Sequence, residues 1–138
     1  MSTTRRSFLG FFGLGGLWLG GRWIYEHLTR PSLHRDYRTI AERLARLPQN
    51  REPLRGIGFA YLSSVAHRPT AEQIAQAWFP TDEERQLVMR LERDELARRM
   101  SARTLDDYRQ GRVVSVHGWL LSETEARFAA LVALIRRI

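Results

Sequence analysis

The sequence predicts an all-α fold, in which an N-terminal signal or anchor helix precedes a small helical domain with one short extended segment near residues 112–117. Three observations favour this fold class. Apolar residues recur at spacings of three and four through most of the chain, which is the period of an amphipathic helix. Ser or Thr stands three residues ahead of Glu or Gln at the start of three predicted helices, which is the pattern of a capping box. Only one stretch, Arg112 to His117, is rich in β-branched residues.

Residues 1–30 have the order of parts expected of an export signal: a polar start, an apolar run and a basic segment. The adjacent Arg5 and Arg6 begin the motif. Phe8 and Leu9 follow them at the spacing of the twin-arginine consensus, which the segment resembles, although lysine is frequent at the next position. A buried core helix is the alternative. The six glycines of the apolar run disfavour it, because each costs a helix about 1 kcal/mol relative to alanine.

The signal is expected to remain attached as a membrane anchor, because no small-residue cleavage site follows the apolar run. A helix from Phe8 to Tyr25 would be about 27 Å long, close to the thickness of a bilayer core. Trp18 and Trp23 are of the type found at membrane interfaces. Because positive charge stays inside, residues 31–138 would form one domain at the periplasmic face of the bacterial inner membrane. Cleavage would instead release this domain into the periplasm.

Composition limits the chemistry that the chain can perform. The 138 residues include no cysteine, which excludes disulfides, thiolate metal sites, iron–sulfur clusters and covalent c-type haem. We therefore expect no cofactor. The net charge is +7, and all 22 basic residues are arginine, a bias that codon usage in a GC-rich genome can produce. Acids alternate with the arginines, as around Glu83 to Arg85, which indicates a solvated helix surface rather than a nucleic-acid-binding face.

The domain is predicted to begin with an amphipathic helix over residues 33–47, which Pro48 ends. Its apolar residues are Leu33, Tyr37, Ile40, Leu44 and Leu47. A polar loop over residues 49–53 follows, and then a shorter helix that ends before Pro69. The apolar residues of this second helix are Ile57, Ala60, Tyr61 and Val65.

Capping boxes mark the next two helix starts. The first pairs Thr70 with Gln73, and its helix ends at Pro80. The second pairs Thr81 with Glu84 and begins a helix that we expect to be the longest element of the domain. The apolar residues that extend this long helix are Leu87, Leu91 and Met100.

The last third of the chain contains the predicted extended segment. A short helical turn from Leu105 to Gln110 is expected to end at Gly111. The segment from Arg112 to His117 forms one strand at most, so we expect a linker or an edge that pairs with another chain. Ser122 with Glu125 makes a third capping box. The final helix buries one of two stripes: Ala126, Ala130, Leu134 and Ile138, or Phe128, Leu131 and Ile135.

The segment from Asp107 to Leu131 reads DYRQGRVVSVHGWLLSETEARFAAL. It resembles the C-terminal portion of a family of small bacterial twin-arginine-signal proteins of unestablished activity. The layout of signal, helical middle and this ending is also similar to that of small exported subunits of membrane-bound flavin dehydrogenases. The resemblance implies that the chain is a subunit of a larger complex. It implies no role for any individual residue.

The extended segment supplies the candidate partner-binding residues. Gly118 permits a tight bend before Trp119, which offers a large apolar area. Val114, Val116, His117 and Trp119 could therefore meet a partner, for example by strand addition to its sheet. The alternative is a β-like hinge that packs the final helix against the domain.

Catalytic groups do not converge in the sequence. His27, His34, His67 and His117 are scattered without the spacing of a helical zinc site. Ser63-Ser64 lacks the glycine-flanked elbow of a hydrolase nucleophile. We interpret Asp106-Asp107 as the acidic first turn of a helix rather than as a cation site.

These observations predict a non-catalytic accessory or small subunit that the twin-arginine translocase exports. It would support or anchor a larger periplasmic or membrane-bound complex, such as a flavin or haem redox enzyme. Two alternatives stay open. The chain could be a structural single-span subunit of an integral membrane assembly, packed through Gly13, Gly16 and Gly20. It could also be a free-standing periplasmic enzyme or ligand binder with a site at His117. Nucleic acid is not an expected partner.

Overall fold

The computed structural model describes residues 31–136, with side chains from Leu33 onward. The predicted export signal, with Arg5, Arg6, Phe8 and Leu9, lies outside the described residues. The described part contains six helices and one two-stranded hairpin, which confirms a mostly helical domain. In chain order the elements are α1 (Pro31–Ala45), α2 (Glu52–Ser64), α3 (Ala71–Trp78), α4 (Asp82–Arg90), α5 (Arg93–Arg109), β1 (Val113–Val116), β2 (Trp119–Ser122) and α6 (Glu123–Leu134).

The first helix confirms the prediction for residues 33–47, apart from its ends. It finishes at Ala45, ahead of Pro48. The second helix begins at Glu52, so Pro53 lies in its first turn and not in the preceding loop as predicted. Proline is tolerated there because the first-turn N–H groups have no partner within the helix.

The three predicted capping boxes are present at α3, α4 and α6. At α3, the Gln73 backbone N–H donates to Thr70 Oγ1 at 3.2 Å, and the Thr70 N–H donates to Gln73 Oε1 at 2.8 Å. At α4, Thr81 and Glu84 make the same reciprocal pair, with both distances at 3.1 Å. Each box satisfies two backbone donors that the start of a helix would otherwise leave unpaired.

The prediction of one long helix from residue 82 through Met100 is wrong. Helix α4 ends at Arg90, where Leu91 turns to an extended conformation, and α5 begins at Arg93. The Arg43 guanidinium donates to the carbonyl oxygens of Val88 and Leu91 at this break. Because these bonds satisfy carbonyls at the end of α4, the helix can stop without a glycine. The longest element within residues 31–136 is α5.

Helix α5 also includes the segment from Leu105 that was predicted as a separate turn. The helix ends as predicted at Gly111, which has a φ of +70°. The Gly111 N–H donates to the Tyr108 carbonyl at 3.3 Å, and the Arg112 N–H donates to the Asp107 carbonyl at 2.8 Å. These two bonds form a Schellman motif, which redirects the chain into β1.

The prediction of one strand at most, serving as a linker or as an edge that pairs with another chain, is wrong. Strand β1 pairs with β2 of the same chain in an antiparallel hairpin, in the register Val116 to Trp119. The two turn residues, His117 and Gly118, have φ values of 47° and 82°, and positive φ at both central residues is the requirement of a type I′ turn. The second strand escaped prediction because it is four residues long and ends on the Ser122 cap of α6.

Helix α6 packs into the core, since seven of its 12 residues are buried and none is exposed. The prediction that only one of two apolar stripes of this helix is buried is wrong. Residues of both stripes are buried, including Ala126, Ala130 and Leu131. Helix α2 crosses it so closely that a Cβ atom added to Gly58 would lie 2.1 Å from the Ala129 carbonyl oxygen. The two helices therefore meet backbone to backbone, which only glycine allows at this position.

None of the helices in residues 31–136 is long and apolar enough to cross a membrane.

Candidate partner-docking surface

The hairpin carries the two most exposed large apolar side chains in the described part of the chain. Trp119 is 70% exposed and Leu120 is 64% exposed. The strands themselves are short, and the tight turn at His117-Gly118 places both side chains near the tip. Adjacent exposed Trp and Leu residues on a fixed backbone are typical of a surface that another molecule covers.

The register determines the direction of these side chains. Trp119 lies opposite Val116 and shares its face of the hairpin, whereas Leu120 lies opposite Ser115 on the other face. Val116 is buried and Ser115 is exposed. Trp119 and Leu120 therefore project on opposite sides of β2 and form a wedge, which suits insertion between surfaces of a partner better than a flat contact.

The outer edge of β2 is short as a template for strand addition. The Ser122 N–H points away from β1, because it donates to Tyr108 Oη at 3.2 Å and to Glu125 Oε2 at 2.9 Å. Alternation along an antiparallel ladder then directs the N–H and C=O of Leu120 outward as well, while those of Leu121 point to β1. Leu120 is therefore the residue of this edge whose backbone N–H and C=O point outward and are available to another strand. Side chains rather than backbone bonds would dominate docking here.

A buried carboxylate holds the base of the hairpin in place. Asp107 Oδ2 accepts the Thr124 backbone N–H at 2.7 Å, and Oδ1 accepts Arg112 Nε at 2.8 Å. Burial acts to raise the pKa of Asp107, but the hydrogen bonds from Thr124 and Arg112 outweigh it and lower this pKa below its ordinary value. The carboxylate therefore joins the end of α5, the start of β1 and the start of α6.

The interpretation of Asp106-Asp107 as an acidic first turn is wrong, because both residues lie in the last turns of α5. Asp107 is nevertheless placed at a helix N-terminus, that of α6, through its bond to Thr124. This position is favourable because the first turn of a helix carries partial positive charge. Asp106 pairs with Arg112 at 2.6 Å, and this hydrogen bond lowers the pKa of Asp106.

Two apolar side chains of α5 extend the exposed area beside β2. The Tyr108 hydroxyl donates to Glu125 Oε2 at 2.5 Å, and this hydrogen bond raises the pKa of Tyr108. Leu105 lies one helical turn earlier on the same side of α5, and both side chains are exposed. We use the name hairpin surface for these four exposed side chains, Leu105, Tyr108, Trp119 and Leu120, which lie on both sides of β2 and on the end of α5.

The sequence-predicted partner residues are brought together in one hairpin, but they differ in accessibility. Trp119 and His117 are exposed, Val114 is half-buried, and Val116 is buried in the domain. Leu120, Leu105 and Tyr108 were missed. A prediction that β2 pairs with β1 would have identified Leu120 as exposed. A prediction of α5 as one helix would have placed Leu105 and Tyr108 on the same side of that helix.

The other residues considered for chemistry have structural partners or stand apart. Ser63 Oγ donates to the Phe59 carbonyl at 2.9 Å and Ser64 Oγ donates to the Tyr61 carbonyl at 2.7 Å, so both hydroxyls bond to the last turns of α2. Within residues 31–136, no three His, Asp or Glu side chains are grouped so that they could hold a metal ion.

Comparisons with known proteins add no relative to this picture. No protein-family model matches the chain, and neither do any curated protein or solved structure.

Proposed function

We propose that this chain is a non-catalytic accessory subunit, exported by the twin-arginine pathway and held at the periplasmic face of the inner membrane, where its hairpin surface docks on a larger protein. The partner is a periplasmic or membrane-bound complex, and a flavin or haem enzyme fits the sequence resemblance best. The chain contributes attachment and positioning rather than chemistry.

The exposure of Trp119 is the observation that supports this proposal most directly. The Trp119 indole is 70% exposed, so it contributes little to the stability of the domain. It buries a large apolar area when a partner covers it. The hairpin beneath it is tied to α5 and α6 by the Asp107 and Tyr108 hydrogen bonds. A held backbone presents the side chain without a large entropic cost on binding.

Co-purification from native membranes tests the proposal. The C-terminally tagged full chain is extracted in mild detergent and captured, and the eluate is analysed by mass spectrometry and by its absorbance spectrum. We expect a stoichiometric large partner, with flavin or haem bands if it is a redox enzyme. Trp119→Ala should remove the partner, and Leu120→Ser should weaken its capture.

Phe59→Ala is the matched control for these variants. Phe59 is also a large exposed aromatic residue, but it lies on α2 outside the hairpin surface. The proposal requires Phe59→Ala to capture the partner like the unmodified chain. Equal capture by Trp119→Ala would overturn docking through the hairpin, and a lone, colourless protein would overturn the accessory role itself.

Export is tested separately with Arg5→Lys combined with Arg6→Lys. These substitutions retain positive charge but remove the twin-arginine pair. We expect the variant to stay in the cytoplasm, where protease added to spheroplasts cannot reach it. Digestion equal to that of the unmodified chain would reject the twin-arginine route without affecting the docking proposal.

A further inference from the structure

A cleft between α4 and α5 lies apart from the hairpin surface. It has a volume of about 220 Å³, and its apolar wall includes Phe79, Leu87 and Val88. Two arginines of α5, Arg99 and Arg103, face the same space. These arginines are four positions apart and therefore lie on one side of the helix. The cleft thus combines an apolar wall with two neighbouring cations.

Arg103 is a partly buried cation without a close carboxylate. Its guanidinium donates to the Trp78 carbonyl at the end of α3 and lies 5.4 Å from the centre of the Phe79 ring. Burial lowers the pKa of Arg103, against the opposite effect of the Glu84 and Asp107 carboxylates. The planar fork of arginine has five N–H donors, so donors remain for a ligand in the cleft.

Arg99 is also weakly compensated, since its carboxylate neighbour, Glu95, is 4.0 Å away. One acid, Glu84, lies on the cleft wall. Its carboxylate is already held in the capping box of α4, where Oε2 accepts the Thr81 N–H at 3.1 Å and the Thr81 hydroxyl at 3.0 Å. Because Arg99 and Arg103 are positively charged and Glu84 is the one acid on the wall, the cleft has a net positive charge.

We propose that this cleft binds a small carboxylate with a short apolar body, of the class of a short-chain fatty acid anion. The carboxylate contacts Arg99 and Arg103, because arginine presents paired donors that match two carboxylate oxygens. The apolar body packs against Leu87, which is exposed in the unliganded protein. This site is independent of the hairpin surface and goes beyond the proposed accessory role.

A methyl NMR titration of the full chain in mild detergent tests the site. The probe is hexanoate, and the signals followed are the methyl groups of Leu87 and Val88, with Leu120 of β2 as a reference outside the cleft. We expect saturable shifts at Leu87 and Val88, with a dissociation constant of about 1 mM for so small a ligand. Acetate, which lacks the apolar body, and 1-hexanol, which lacks the charge, should each bind at least about fivefold more weakly.

Arg99→Gln should weaken hexanoate binding about fivefold and leave 1-hexanol unaffected. Arg109→Gln is the matched control, because Arg109 lies on the same helix as Arg99 and does not line the cleft. Arg99 and Arg109 are both exposed, so both variants should fold, which thermal unfolding verifies. Equal affinity for hexanoate and 1-hexanol, an unchanged affinity in Arg99→Gln, or the absence of saturable shifts would each overturn the proposal.

Discussion

The contact between α2 and α6 allows a quantitative test of the fold. A Cβ atom on Gly58 would lie 2.1 Å from the Ala129 carbonyl oxygen, about 1.3 Å closer than ordinary van der Waals contact permits. The obstacle is backbone, so no side-chain rotation can relieve it. Gly58→Ala therefore has to push α2 away from α6, which contributes residues 130–133 to the hydrophobic core.

Two opposing terms decide the size of the effect. Alanine is favoured over glycine in a helix by about 1 kcal/mol, whereas overpacking costs about 1–3 kcal/mol or more when backbone must move. The overlap at Gly58 is severe, so we expect Gly58→Ala to lower the free energy of unfolding by about 2 kcal/mol after the helical gain is included. For a unit of this size, the loss corresponds to a Tm about 10 °C lower.

The same helix contains its own control. Nothing lies within 4 Å of a Cβ atom added to Gly56, so Gly56→Ala should keep the helical gain without a clash and raise stability by about 0.5–1 kcal/mol. Urea unfolding of the full chain, followed by far-UV circular dichroism of its helices, measures both variants. If Gly58→Ala proves as stable as Gly56→Ala, the close approach of α2 to α6 is refuted.

Three further predictions follow from individual side chains. Because the pKa of folded Asp107 is lowered, its carboxylate contributes stability above the pKa of the unfolded chain, and this contribution is lost as the pH falls through the folded pKa. Asp107→Asn should therefore be less stable at pH 7 and lose less stability on acidification to about pH 3, as measured by urea unfolding; parallel pH profiles would contradict the assignment. Thr81→Ala removes a capping box and should lower the free energy of unfolding by about 1 kcal/mol, while a loss below about 0.3 kcal/mol would show that solvent replaces the cap. Trp119→Ala should change thermal stability by less than about 0.5 kcal/mol because the side chain is exposed, and a large loss would instead favour the hinge interpretation of the hairpin.

Local signals in the sequence predicted most helix starts. Capping boxes at Thr70, Thr81 and Ser122 are formed by residues three positions apart, so the information lies within a single turn. The stop at Gly111 is local for the same reason, since a positive φ favours glycine. The fold class follows from such signals together with the spacing of apolar residues.

One error arose where a distant residue decides the conformation, and another where a local turn lacks its usual sequence signal. The break between α4 and α5 depends on Arg43, which is more than forty positions earlier in the chain than the carbonyls it contacts. The hairpin depends on a turn at His117-Gly118, which has the required positive φ values without the Asn-Gly or Asp-Gly signal. The exposure of Leu120 follows from that pairing and could not be predicted while β1 was taken as a lone strand.

At some positions the structure explains why arginine, rather than lysine, is present. Codon usage can explain why lysine is absent from the sequence, but it does not predict where the arginines bind. Arg43 bridges two carbonyl oxygens at the end of α4, and Arg103 donates to the Trp78 carbonyl while it stacks on Phe79. A lysine ammonium is a compact point charge and lacks the planar fork that combines such bonds with ring stacking. Arginine therefore makes contacts at these two positions that lysine could not reproduce, whatever caused the bias elsewhere, and the same planar donors make Arg103 suitable for a carboxylate in the adjacent cleft.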